Sequence, residues 1–332
     1  MKSNFYSNMQ RLHYAYIIVV ALLFGSCAVE EERPITVRGS DTMVAIGQKW
    51  AEVYMQKFPE ATIQVNGGGS GTGISALINR IADICQSSRP MKKREREIIK
   101  QKYGREVIEI PVAKDGIVIY VHESNPLSEI SIEQMKAIYT GKVKNWKELG
   151  WEDQQIVIYG RENSSGTYEF FKKRVLDGED FDARVQTLPG TGAIANAVAQ
   201  DKYAIGYGGI AYSRGIKFLA AKATQDSPAV PASELTIADN TYPVSRDLYF
   251  YLVKEPQGRT RAFIDWVLSD EGQSLAIAEG YFPIRPIKLR PETALTQINS
   301  FNDDNANEPT FNDYRFNHAE SQSNRKAIRP PR

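Results

Sequence analysis

Three short stretches hold the residues of this chain best suited to chemistry: Gly39-Ser40-Asp41-Thr42, Gly67-Gly68-Gly69-Ser70-Gly71-Thr72-Gly73 and Arg161-Glu162-Asn163-Ser164-Ser165-Gly166-Thr167. Each is rich in serine, threonine and glycine, opens an amphipathic segment and reads as a strand-to-helix turn. Helix N-termini present unpaired N–H groups and partial positive charge, so such turns hold anions without a metal. Arg161 adds a planar fork able to grip two oxygens of one anion. Ser165, Gly166 and Thr167 follow it at the helix start. A strand, a turn and a helix thus aim guanidinium, hydroxyls and amides at one point. The implied chemistry is capture of a small oxyanion.

Other chemistries fail on inventory. A P-loop needs Lys-Ser/Thr after its last glycine, but Gly73 is followed by Ile74-Ser75, and the dinucleotide spacing is missing. The nucleophile-elbow spacing is absent around Ser70 and Ser165, and the histidines are His13, His122 and His318. His13 falls in the leader and His318 in the tail, which leaves His122 as the single candidate base. No cysteine–histidine cluster offers a metal site, so no enzyme activity and no cofactor are expected. Net charge is +1, and becomes −1 without residues 1–26, which carry Lys2, Arg11 and no acid. A near-neutral chain without a basic stripe argues against nucleic acid. Local geometry, not overall field, must hold the anion.

The elements that position these residues alternate. With 332 residues, 42% hydrophobic and 24% charged, the chain suits two domains or one large bilobed one. Ile35–Val37 reads as a strand and Met43–Phe58 as a helix. Thr62–Val65 is a strand, with a helix near Ile74–Ile81 and a charged helix over Lys92–Lys102. Val107–Val112 and Ile117–Val121 form two apolar runs split by Ala113-Lys114-Asp115-Gly116. Ser131 starts a helix with a capping box to Gln134. Ile156–Tyr159 is a strand, and helices cover Tyr168–Leu176 and, after Gly190-Thr191-Gly192, Ala193–Ala199. Strands at Ala204–Tyr207 and Leu248–Val253 and helices at Phe263–Leu268 and Gln273–Glu279 complete an α/β pattern.

Both ends differ. Lys2 and Arg11 precede an apolar run from Tyr14 to Phe24 and then Gly25-Ser26-Cys27, which reads as a lipoprotein-type signal over residues 1–26, with a retained single-span anchor as the alternative. Small residues before Cys27 make it the lipidation candidate, although Leu23 and Phe24 depart from the usual order. Cys85, the other cysteine, lies among apolar residues and reads as buried. Residues 289–332 carry asparagines, prolines and arginines without period and read as a disordered tail.

Taken in order, Gly39-Ser40-Asp41-Thr42, the glycine turn with Ser70, Ser87-Ser88-Arg89, Lys114-Asp115-Gly116-Ile117, Tyr139-Thr140-Gly141 with Asn145-Trp146, Arg161–Thr167 and Ile205-Gly206-Tyr207 resemble the PstS-like phosphate-binding proteins. These are the substrate-capturing components of bacterial phosphate ABC transporters. The resemblance covers about Ile35 to Pro286. It implies an α/β, bilobed class II periplasmic-binding-protein fold with two crossing hinge strands, near Ala113–Gly116 and Ser245–Leu248. Lobe one would combine 34–114 with 247–288, and lobe two would hold 115–246. It further implies a phosphate site of Ser40, Asp41, Thr42, Met43 (through its N–H alone), Ser70, Ser88, Arg161, Ser165, Gly166 and Thr167. The implied partners are inorganic phosphate, an ABC permease of the inner membrane, and the membrane through a lipid on Cys27. The location would be the periplasm or cell surface, with the protein a monomer.

Ser88 departs from relatives that carry an aspartate there, whose carboxylate accepts the phosphate proton and repels sulfate. Asp41 is a substitute acceptor if it points inward, and a helix N-cap otherwise. Rival readings are a receptor for sulfate, molybdate or tungstate, and a surface lipoprotein that works through its tail.

Overall fold

The computed structural model describes residues 33–287. The signal segment, Cys27 and the tail lie outside the described residues. In chain order the strands and helices are β1 (Ile35–Gly39), α1 (Val44–Lys57), β2 (Ile63–Asn66), α2 (Ser70–Ile78), β3 (Ile84–Ser87), α3 (Lys93–Tyr103), β4 (Ile108–Val121), β5 (Glu129–Ser131), α4 (Ile132–Tyr139), β6 (Val157–Arg161), α5 (Gly166–Arg174), β7 (Gln186–Leu188), α6 (Gly190–Gln200), β8 (Ala204–Gly209), β9 (Lys217–Lys222), β10 (Ala229–Val230), α7 (Glu234–Ala238), β11 (Ser245–Leu252), α8 (Gly258–Val267) and α9 (Asp270–Ala278). This is the mixed α/β architecture that the alternating pattern implies.

The main path through the sheet runs β2-β1-β3-β11-β4-β8-β6-β7, with β9 against β4 and β5 and β10 on β9. Strands β1, β2 and β3 pair in parallel, as do β8, β6 and β7, while β11 and β4 are antiparallel to each other and to their outer neighbours. In each parallel set, strands joined through helices bring their C-terminal ends, and the turns that follow, to one edge; β1, β2 and β3 run opposite to β6, β7 and β8 on the other half of β4, so the two edges face each other across the middle of that strand. That places the turns after β1, β2 and β6 where one ligand can meet them.

Two large apolar clusters divide the interior. One contains Ile117–Val121, Ile158, Phe171, Ile194, Tyr207 and Val244. The other contains Val37, Met43, Trp50, Val112, Ala113, Leu248 and Phe250. Strand β4 passes from one cluster to the other at Lys114–Gly116, where Gly116, Asp115 and Lys114 lie opposite Ser245, Arg246 and Asp247 of β11. Opposite charges facing across an antiparallel pair hold that register.

Two expectations need correction. The apolar runs at Val107–Val112 and Ile117–Val121 belong to one continuous strand of 14 residues. The charged tetrapeptide does not interrupt it, because β11 supplies counter-charges. The helices also start earlier than their apolar periodicity suggests: α2 at Ser70, α5 at Gly166 and α6 at Gly190. The glycine-rich turns are themselves the first helical turns. In α5 the Ser165 hydroxyl accepts from the Thr167 and Tyr168 N–H groups at 3.2 and 3.3 Å, a side-chain cap that lets the helix begin at glycine. The capping box of α4 forms as read, with Ser131 Oγ accepting from Gln134 N–H and Gln134 Oε1 from Ser131 N–H.

Candidate oxyanion-binding site

Arg161 ends β6 with its side chain 1% exposed. Its Nη1 donates to Thr191 Oγ1 (2.9 Å), and Nη2 donates to Asp41 Oδ2 (2.7 Å). Nε and Nη2 also bind the Glu162 carboxylate at 3.0 and 2.8 Å. Burial pulls the guanidinium pKa down, but Glu162 and Asp41 outweigh it and the net shift is upward. The cation is therefore permanent. Asp41 is not a helix cap: Oδ1 accepts from the Gly68 N–H at 2.7 Å and Oδ2 from Arg161. It ties the first turn to the glycine turn and to Arg161, across 120 positions of sequence.

The hydroxyls converge in two groups. Thr42 Oγ1 and Thr167 Oγ1 are 2.9 Å apart, joining the first turn to α5. Ser40 Oγ donates to Ser88 Oγ (2.8 Å), Ser70 Oγ lies 3.4 Å from Ser88 Oγ, and the Ser88 N–H donates to Ser70 Oγ at 3.1 Å. All five residues are at most 1% exposed. Gly166 lies against this serine group: an added Cβ would collide with Ser70 Oγ and sit 2.7 Å from Ser88 Oγ. Met43 is fully buried and its N–H donates to the Ser40 carbonyl (3.0 Å), so that donor is engaged within its own turn. His122 lies beyond the end of β4, bonded to Ser124 Oγ through Nδ1. Cys85 is buried, and burial pushes its thiol pKa up.

Sequence reasoning missed Arg246 and Asp115 as site residues. Arg246 Nη2 binds Asp115 Oδ2 at 2.7 Å, and the same nitrogen reaches Thr42 Oγ1 at 3.3 Å and Thr167 Oγ1 at 3.1 Å. Nε also donates to Asp115 (3.1 Å) and Nη1 to the Ser88 carbonyl (2.9 Å). A signal was available: Lys114-Asp115 and Arg246-Asp247 carry opposite charges on the two segments read as crossing strands. Burial raises the Asp115 pKa and lowers that of Arg246, each partly offset by the other.

Beside Ser88, Arg89 makes a forked pair with Glu95 at 2.8 and 2.7 Å, and Glu95 also accepts from the Lys92 N–H at 2.7 Å. Burial alone would raise the Glu95 pKa, but these donors bring it below the usual range. A depressed folded pKa stabilises the protein above the unfolded value, about 4.3. That contribution disappears as pH falls through the folded value. Glu95→Gln should cost about 2–3 kcal/mol at neutral pH, since it strands a buried arginine, and should flatten the acid limb of a stability–pH curve. An unchanged acid limb in urea unfolding would refute this.

The family model described as "PBP superfamily domain" matches residues 26–271. "Phosphate-binding protein PstS" of Pseudomonas aeruginosa is 34% identical over 277 residues, 78% of this chain and 85% of the relative. The chain belongs to the PBP superfamily, among the PstS-like proteins. PstS of Staphylococcus aureus is 31% identical over 277 residues, covering 80% of this chain and 83% of the relative. Among solved structures, a putative phosphate ABC transporter substrate-binding protein with bound phosphate, from Clostridium perfringens, superposes with a TM-score of 0.69. It is 30% identical, over 76% of this chain and all of that one. An ABC-type phosphate transport receptor from Vibrio cholerae gives 0.61 at 28% identity, again over 76% of this chain and all of that one. These PstS-like relatives are named as binding proteins. Among the described residues of this PstS-like chain, no group of three or more His, Cys, Asp or Glu could hold a metal ion, and no helix is long and apolar enough to cross a membrane.

Proposed function

We propose that this chain is an extracytoplasmic receptor that captures inorganic phosphate for an ABC transporter. One observation carries the reading: three separate turns bring buried hydroxyls together, Thr42 to Thr167 and Ser40 and Ser70 to Ser88, with a buried Arg161 tied to the first of those turns through Asp41, in a member of a phosphate-binding family. An oxyanion stripped of water needs a donor for each oxygen. Arg161, Thr42, Thr167, Ser40, Ser70, Ser88, Ser165 and the α5 N-terminus at Gly166 make up that set. Asp41 orients the arginine, and Met43 anchors the first turn.

The lobes we assign are 34–114 with 247–288 and 115–246, closing about β4 and β11. This is supported by the change of apolar cluster along β4 and by contacts that join the two sets of residues. Those contacts are Thr42 to Thr167, Asp41 to Arg161, Gly71 N–H to the Ser164 carbonyl at 2.9 Å, and Lys92 to Glu169 at 2.8 Å. Closure would present the permease with a shape of its own. A lipid on Cys27 would keep the receptor, working as a monomer, at the periplasmic or outer cell surface.

A second reading has its own support. Ser88 carries no charge and Asp41 is engaged by Arg161 and Gly68, so rejection of unprotonated anions is weaker than with an acid at position 88. The full chain, stripped by denaturation and refolded, should bind phosphate one-to-one in calorimetric titration, with arsenate and sulfate as measurable competitors. Phosphate binding that sulfate does not disturb removes the second reading. Absence of binding to phosphate, arsenate, sulfate and molybdate removes the first.

A further inference from the structure

We infer that Arg246, held by Asp115, is a positioning residue of the anion site, orienting the Thr42–Thr167 hydroxyl pair so that one of its hydrogens is left for the bound oxyanion. The inference rests on the phosphate-receptor reading. A guanidinium only donates, and a hydroxyl has one hydrogen and two lone pairs. Arg246 Nη2 donates toward both threonine oxygens at 3.3 and 3.1 Å while these lie 2.9 Å from each other. One Nη2 hydrogen serves Asp115, so the other is shared between the two threonine oxygens, which both turn a lone pair toward it. One hydroxyl hydrogen serves the neighbouring threonine, and the other is left for an acceptor outside the pair. An oxyanion oxygen supplies that acceptor.

The arginine is well fixed for this task. Asp115, fully buried, takes both Nε and Nη2, the Ser88 carbonyl takes Nη1, and the Phe170 ring lies 5.4 Å from the guanidinium carbon. The Ser88 contact links the same head group to the serine cluster. Asp115 faces Arg246, and Asp41 and Glu162 face Arg161, so an anion among these groups is held by directed donors and not by excess positive charge. The pair sits on the two strands that pass between the apolar clusters, while each threonine belongs to a different cluster's turn. Arg246 thus aligns donors that only come together when the fold is assembled.

The test uses the full chain, stripped and refolded, titrated with inorganic phosphate. Asp115→Asn with Arg246→Gln removes both charges at similar size, and Arg246→Lys keeps the charge without the fork. The double variant should melt cooperatively and bind phosphate about 30-fold more weakly, and Arg246→Lys about tenfold. Thr42→Val should cost about tenfold in the parent but less than threefold in the double variant, because its hydroxyl is then no longer oriented. A purely structural arginine would leave the Thr42 effect unchanged. Parent-like affinity in the double variant or in Arg246→Lys, or an equal Thr42→Val penalty in both backgrounds, overturns the inference alone. If the double variant does not fold, Arg246→Lys decides. A parent chain that binds no phosphate overturns both this inference and the receptor reading.

Discussion

Arg161→Ala should weaken phosphate binding by about three orders of magnitude, the largest functional loss expected from one substitution. Truncating one member of a buried, hydrogen-bonded charge pair costs about 2–5 kcal/mol, and each 1.4 kcal/mol is tenfold in affinity. The structure places this case at the upper end. Arg161 is 1% exposed and engages Asp41 at 2.7 Å and Glu162 at 2.8 Å. Its removal leaves the Asp41 and Glu162 carboxylates without their shared cation, so the incoming anion meets repulsion as well as missing donors. A second variant separates these causes: adding Glu162→Gln to Arg161→Ala should recover part of the loss. Arg161→Ala binding phosphate within tenfold of the parent in calorimetry would show that this arginine does not hold the anion.

Gly39→Ala should be the most damaging change to stability, about 3–5 kcal/mol, lowering the unfolding midpoint by on the order of 10 °C. Gly39 ends β1 with φ 144°, a conformation open to glycine and strained for every other residue. An alanine Cβ there would collide with the Gln86 carbonyl oxygen of the adjacent strand β3, and backbone cannot swing aside as a side-chain tip can. The same carbonyl accepts the Ser40 N–H at 2.8 Å, so the strain would also move the first hydroxyl of the site. Differential scanning calorimetry within about 2 °C of the parent would show that β3 gives way more easily than its pairing suggests.

The site was partly legible in the sequence because its donors are local. A glycine-rich turn that opens a helix exposes N–H groups whatever lies around it, and Arg161 precedes Ser165–Thr167 closely enough for one strand–turn–helix unit to hold them all. Periodicity located the helices but not their first turns. Glycine and serine carry little hydrophobic signal, and caps such as Ser165 act through the backbone. The α/β class and the PstS-like resemblance follow from the same local order of motifs. Asp41 shows the limit: an acid in the first turn can cap a helix or face a distant cation, and nothing nearby decides between them. Arg161 decides it, from 120 positions away. The Arg246–Asp115 pair spans 131 positions and Thr42–Thr167 spans 125. Residue types and their local order specify which groups can donate to an anion. Which of them meet, and what each is paired with, rests on the folded sheet, because a hydroxyl's partners here are neighbours that the chain brings together from opposite ends of it.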